Sequence, residues 1–133
     1  MGARPVARGM QLDHTAIRVG DLQATAGFYE EGLGFERERE VRGDDGSVHR
    51  YLRGEGGAAL QVIHRPDGDD VDPAGLEHLA IRVADVDATF HRLVDETGCP
   101  VEQSPTTVEE LDTRFAFVGD PDGYVVELFA RTG

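Results

Sequence analysis

The chain has one cysteine, no lysine and no run of 18 apolar residues. A single thiol, Cys99, excludes an internal disulfide and suits a reducing cytosol. A small buried position suits it better than the role of nucleophile, because Cys is among the most buried residue types. Without a long apolar run there is no candidate membrane-spanning helix. Met1 to Gly9 carries arginines with no apolar stretch behind them, which excludes a secretory signal; Met10 reads as an original start and residues 1–9 as a disordered extension. All 13 basic residues are arginine, against 26 acidic ones and a net charge of −13. Such a surface repels phosphate backbones and anionic lipid, so neither nucleic acid nor a membrane is expected as a partner. The imbalance fits a salt-rich cytoplasm, where self-repulsion is screened within about 3 Å at 1 M salt. A coding preference for Arg would leave the same composition. A melting temperature that rises from low salt to molar KCl is the outcome expected of a halophilic protein; one that does not rise contradicts that reading.

What the chain does have is a duplication. Leu12-Asp13-His14-Thr15-Ala16-Ile17-Arg18-Val19, then Asp21, returns 64 residues later as Leu76-Glu77-His78-Leu79-Ala80-Ile81-Arg82-Val83, then Asp85. Gly57 to Arg65 matches Gly123 to Arg131 at an offset of 66, which sets Gln61 opposite Glu127. Each unit alone, at roughly 60 residues, is marginal in the surface it can bury, so the two are expected to share a core.

Both units open with residues alternating at the period of a strand: His14, Ala16 and Arg18 on one side, Thr15, Ile17 and Val19 on the other. Asp21 then caps a helix carrying Leu22, Ala26, Tyr29 and Leu33. Asp85 caps its counterpart with Val86, Phe90, Leu93 and Thr97, and Gly34 or Gly98 ends each one. Strands are predicted over Phe35 to Arg42, Val48 to Arg53 and Ala58 to His64, then around Val101, over Thr113 to Val118 and over Tyr124 to Ala130. The turn Asp120-Pro121-Asp122-Gly123 joins the last two. The fold class is α+β: two tandem βαβββ modules, 10–65 and 76–133, joined by a Pro- and Asp-rich linker over 66–75.

On the last strand of each unit Leu60 and Val62, or Val126 and Leu128, pack on the helix, which turns Gln61 and Glu127 to the other face along with His14 and His78. Two imidazoles, one carboxylate and one amide oxygen, with no thiolate, suit a borderline divalent ion such as Ni, Co, Zn, Mn or Fe in an open catalytic site. Any one of these residues alone is ordinary on a sheet face. Their pairing at equivalent positions of a repeat is what singles them out. His49 aligns with Phe115, His64 with Ala130, and His91 lies on a helix, so these three are assigned to solvent or packing.

The stretch from His14 to Leu22, with Phe28-Tyr29, Gly32-Leu33-Gly34-Phe35, Glu77-His78-Leu79-Ala80 and Phe117-Val118-Gly119-Asp120-Pro121-Asp122-Gly123-Tyr124-Val125-Val126-Glu127-Leu128, resembles the glyoxalase I branch of the vicinal oxygen chelate superfamily. Lactoylglutathione lyases, methylmalonyl-CoA epimerases, extradiol dioxygenases and bleomycin or fosfomycin resistance proteins share these motifs. The resemblance implies a U-shaped mixed sheet around one divalent metal ion, usually in a homodimer. The ligands fall on His14, Gln61, His78 and Glu127, and the expected activity is a lyase or isomerase passing through an enediolate. Bacterial glyoxalase I usually has Glu where this chain has Gln61, whereas the epimerases share the His, Gln, His, Glu order. Glu127 is then the catalytic base. Arg18 matches the family's arginine for the glutathione γ-glutamyl group, but Arg65 stands where its asparagine partner is usual. The pair is expected to bind the anionic end of a thiol substrate, with a thiol other than glutathione a candidate. On its strand Arg18 lies about 13 Å from His14.

Overall fold

The computed structural model describes residues 13–68, 70–74 and 76–132; the extension read at residues 1–9 lies outside them. The first module runs β1 (His14–Arg18), α1 (Leu22–Ala26), a π-helical turn (Gly27–Gly32), β2 (Glu36–Arg42), β3 (Val48–Arg53) and β4 (Ala59–His64). The second runs β5 (Leu79–Arg82), α2 (Val86–Thr97), β6 (Val101–Val108), a 3-10 turn (Glu109–Leu111), β7 (Thr113–Gly119) and β8 (Val125–Arg131). Each βαβββ unit forms a four-stranded mixed sheet, in the orders β1-β4-β3-β2 and β5-β8-β7-β6. In each, the opening strand runs parallel to the last and the remaining pairs are antiparallel. The α+β class and the repeat are as the sequence pattern requires. The two sheets are separate within the chain, with β1 and β5 each at an edge.

The caps form as their residue types dictate. The Asp21 carboxylate accepts from the amides of Gln23 and Ala24, and that of Asp85 from Ala88, satisfying donors that the first helical turn leaves unpaired. Gly98 ends α2 with φ at 67°, the left-handed region that glycine enters without a Cβ penalty. The first helix departs from the predicted regular spacing. After Ala26 it widens, and the Leu33 amide donates to the Phe28 carbonyl five residues back at 3.0 Å. The wider turn buries Phe28, Tyr29 and Gly32 together, two of them adjacent aromatics. Gly32 lies against α2. A Cβ there would sit 2.6 Å from Leu93 Cδ1, and the Gly32 carbonyl accepts from Arg92 at 2.9 Å. Strand β6 is longer than predicted, eight residues, with breaks in register between Val101 and Thr106. Its polar sequence lacks the alternation that marks a strand, and Pro105 within it has no amide to give the ladder.

The helices and the sheet faces they cover share one core, including Ile17, Leu52 and Val62 from the first module and Phe90 and Leu93 of α2 with Val126 and Leu128 of β8 from the second. Cys99 is half-buried and packs against that cluster. The β7–β8 turn ties the modules together. Asp120, 3% exposed, accepts from the amides of Asp122 and Tyr124 and from the Tyr29 hydroxyl at 2.8 Å. Asp122 accepts from the Gly20 amide, and the Tyr124 hydroxyl donates to the Arg18 carbonyl. Burial pushes the Tyr29 phenol well above its ordinary pKa, with the neighbouring Asp120 charge adding to it; desolvation likewise raises Asp120.

Candidate metal centre

His14 opens β1 and Gln61 lies on the adjacent β4, in register with Ala16. His14 Nδ1 meets the Asp13 carboxylate at 2.8 Å, which fixes the ring and leaves Nε2 for a ligand. That hydrogen bond holds the Asp13 carboxyl below its ordinary pKa. The imidazole stands edge-on to Tyr51, with centroids 5.7 Å apart. Gln61 is 8% exposed, and its Nε2 donates to His49 Nδ1 at 3.1 Å.

The second module repeats the arrangement. His78 precedes β5, and Glu127 on β8 is in register with Ala80. His78 Nε2 is 3.4 Å from Glu127 Oε1, and the imidazole stands edge-on to Phe117 at 5.6 Å. Tyr51 faces Gln61 across its ladder as Phe117 faces Glu127 across its own. Each predicted pair is thus brought together on one sheet beside an aromatic ring. Among the described residues no three His, Cys, Asp or Glu side chains are gathered so as to hold a metal ion, and His14 therefore stands apart from His78 and Glu127.

The donors nevertheless fit such an ion. Asp13 leaves His14 Nε2 open, His49 leaves Gln61 Oε1 open, and the His78–Glu127 spacing suits two groups that share a cation. His14, Gln61, His78 and Glu127 are the residues that would hold it.

Arg18 and Arg65 both border Gly68 at the start of the linker. The Arg65 backbone carbonyl accepts from the Gly68 amide, and a Cβ on Gly68 would overlap Arg18 Nη2. Arg18 also borders a cavity of about 580 Å³ with Asp70, Asp72, Pro73 and Tyr124.

Four contributors went unassigned from the sequence: Asp13, Tyr51, Phe117 and Arg39, whose guanidinium lies 4.8 Å above the Tyr51 ring. The repeat itself carried a signal for three of them, since an acid precedes each histidine and an aromatic recurs at the offset of 66. His49, assigned to solvent or packing, bonds Gln61 instead. His64 meets the Val19 carbonyl and His91 the Phe90 ring, as packing roles require. On β2, Glu38 is tied to Arg53, and Glu40 to Arg42 and Arg50, which holds the Glu40 carboxyl below its ordinary pKa.

This architecture, with its duplicated half-sites, is that of the glyoxalase/bleomycin resistance protein/dioxygenase superfamily. The chain belongs to that family, whose model matches residues 11–128. Within it the chain is similar to lactoylglutathione lyases. It is 35% identical over 124 residues to a probable lactoylglutathione lyase of Synechocystis sp., covering 90% of this chain and 94% of that one. Over 127 residues it is 32% identical to the lactoylglutathione lyase of Haemophilus influenzae, covering 90% and 91%. A crystal structure of glyoxalase I from Zea mays superposes with a TM-score of 0.79 at 30% identity, over 92% of this chain but 45% of the maize chain.

Proposed function

We propose that the protein is a cytoplasmic, metal-dependent glyoxalase I-like lyase acting on the hemithioacetal of a 2-oxoaldehyde and a thiol. The observation that carries this reading is the recurrence of a His at or just before the opening strand, beside an oxygen donor on the parallel strand, in both modules. His14, Gln61, His78 and Glu127 would hold a divalent ion, Ni, Co, Zn, Mn or Fe, which would supply Lewis-acid stabilisation of the negative charge that develops on the substrate. Glu127 is the one carboxylate of the four. It takes the proton from the thiol-bearing carbon and returns it to the neighbouring carbon, so that the hemithioacetal becomes a 2-hydroxy thioester. Gln61 is neutral, which leaves the site about one positive charge richer than two carboxylates would and favours the negative charge that develops on the substrate oxygens. Arg18 and Arg65 receive the anionic end of the thiol, and replacing either raises KM; unchanged KM values in both variants contradict that assignment.

The four ligands come from two chains. His14 and Gln61 belong to the first module and His78, just before β5, and Glu127 to the second; in this reading a homodimer that apposes unlike halves completes each site. An epimerase-like reaction is the second reading, favoured by Gln61. It needs a second carboxylate base, and Glu38 and Glu40 are occupied in ion pairs. Thioester formation from methylglyoxal with glutathione, γ-glutamylcysteine and simpler thiols tests the proposal. Activity with at least one thiol, lost on chelation and restored by added Ni or Co, is expected. No thioester with any thiol from metal-loaded protein contradicts it.

A further inference from the structure

We infer that His49 is a positioning residue that turns the oxygen of Gln61 toward the metal. The inference rests on the proposed ligand set. A glutamine at a ligand position has a problem that a glutamate lacks. Its amide oxygen can bind a cation while its NH2 group cannot, and rotation about the last side-chain torsion exchanges the two over a broad, roughly two-fold profile. The two ends of a carboxylate are the same. Gln61 therefore needs a neighbour that selects one end, and Glu127 does not.

Among the described residues, the structure supplies that neighbour on the Gln61 side and not on the Glu127 side. In the antiparallel β3–β4 ladder Tyr51 is directly opposite Gln61, so His49, two residues earlier on β3, is its diagonal neighbour on the same face. His49 Nδ1 lies 3.1 Å from Gln61 Nε2. The amide nitrogen can only donate there, so His49 Nδ1 is the acceptor of that bond. With Nε2 of Gln61 engaged, Oε1 is the free end. In the second module Phe117 is directly opposite Glu127, and Phe115 takes the diagonal place that His49 holds in the first. A phenyl ring accepts no such bond, and the carboxylate beside it needs none. The two departures from symmetry, Gln for Glu and His for Phe, are thus one departure: a neutral ligand together with the group that orients it.

Cobalt binding to the full-length protein, followed by visible absorption, tests this without reference to turnover. His49→Phe, which installs the second module's residue, is expected to weaken Co2+ binding about tenfold, the lower end of what loss of such a partner costs a metal site. His49→Asn keeps an acceptor near the Nδ1 position and is expected to stay within about threefold of the parent. On a Gln61→Glu background His49→Phe is expected to have less than about a twofold effect, because the orienting need is gone. An equal loss on both backgrounds, or equal losses with Phe and Asn, would overturn the inference. The control separates the two levels. If His14→Ala and Gln61→Ala leave cobalt affinity unchanged, the ligand set itself is wrong; if they abolish binding while His49→Phe does nothing, only the role of His49 is.

Discussion

Glu127→Gln is expected to leave a folded protein that still takes up metal and whose kcat is about a thousandfold lower, within the range that a positioned base contributes. The change keeps the size of the side chain and an oxygen for the metal while removing the only basic oxygen of the proposed ligand set. Gln61 cannot take over, being an amide already bonded to His49. The pseudo-symmetry makes a second expectation. Adding Gln61→Glu to Glu127→Gln moves the carboxylate to the equivalent position on the other half-site and restores part of the lost rate. Rates are to be measured on metal-saturated protein, with metal content determined in parallel. Full turnover by the single variant means that the proton passes through another group.

Asp120→Ala is expected to destabilise the fold by about 3 kcal/mol, a large share of the 5–15 kcal/mol typical of a domain. One carboxylate here serves three donors: the amides of Asp122 and Tyr124, which shape the β7–β8 turn, and the Tyr29 hydroxyl of the other module. Alanine leaves all three without this acceptor, and Tyr29, 0% exposed, has no solvent to turn to. Asp120→Asn keeps an acceptor for the turn amides and obliges the Tyr29 hydroxyl to accept from the new NH2, at a cost of about 1 kcal/mol. Urea unfolding of the three proteins at one pH checks both figures. A loss below about 1 kcal/mol for the alanine variant contradicts the role given to this turn as the tie between modules.

Most of the fold was legible because it rests on local signals. The alternation in His14 to Val19, Asp21 and Asp85 ahead of their helices, and Gly98 after one of them are each read over a few residues, and the repeat doubles every reading. The ligand candidates came from the same doubling. What escaped depends on distance or register. The π-helical turn is set by packing Phe28 and Tyr29 into a core shared with the second module. The Tyr29–Asp120 bond spans 91 residues of sequence. The bond from Gln61 to His49 follows from which residue of β3 faces which of β4, and a shift of one place would have sent the imidazole to the helix side. Polar β6 has no alternating pattern to read. How the two half-sites lie relative to each other depends on how two sheets are placed, on which the residue pattern of each is silent.

Whether each catalytic metal site is built from complementary halves of two chains is decided by mixing two inactive proteins. His14→Ala spoils one half-site and His78→Ala the other. After the two are unfolded together and refolded, random pairing makes about half the dimers mixed, and in each mixed dimer one of the two sites draws both its halves from undamaged modules. About a quarter of the parent activity is therefore predicted for the refolded mixture, with none in either variant alone. If the mixture stays as inactive as its components while the unmutated protein refolds to full activity, each site lies within a single chain and the shared-site assignment is wrong.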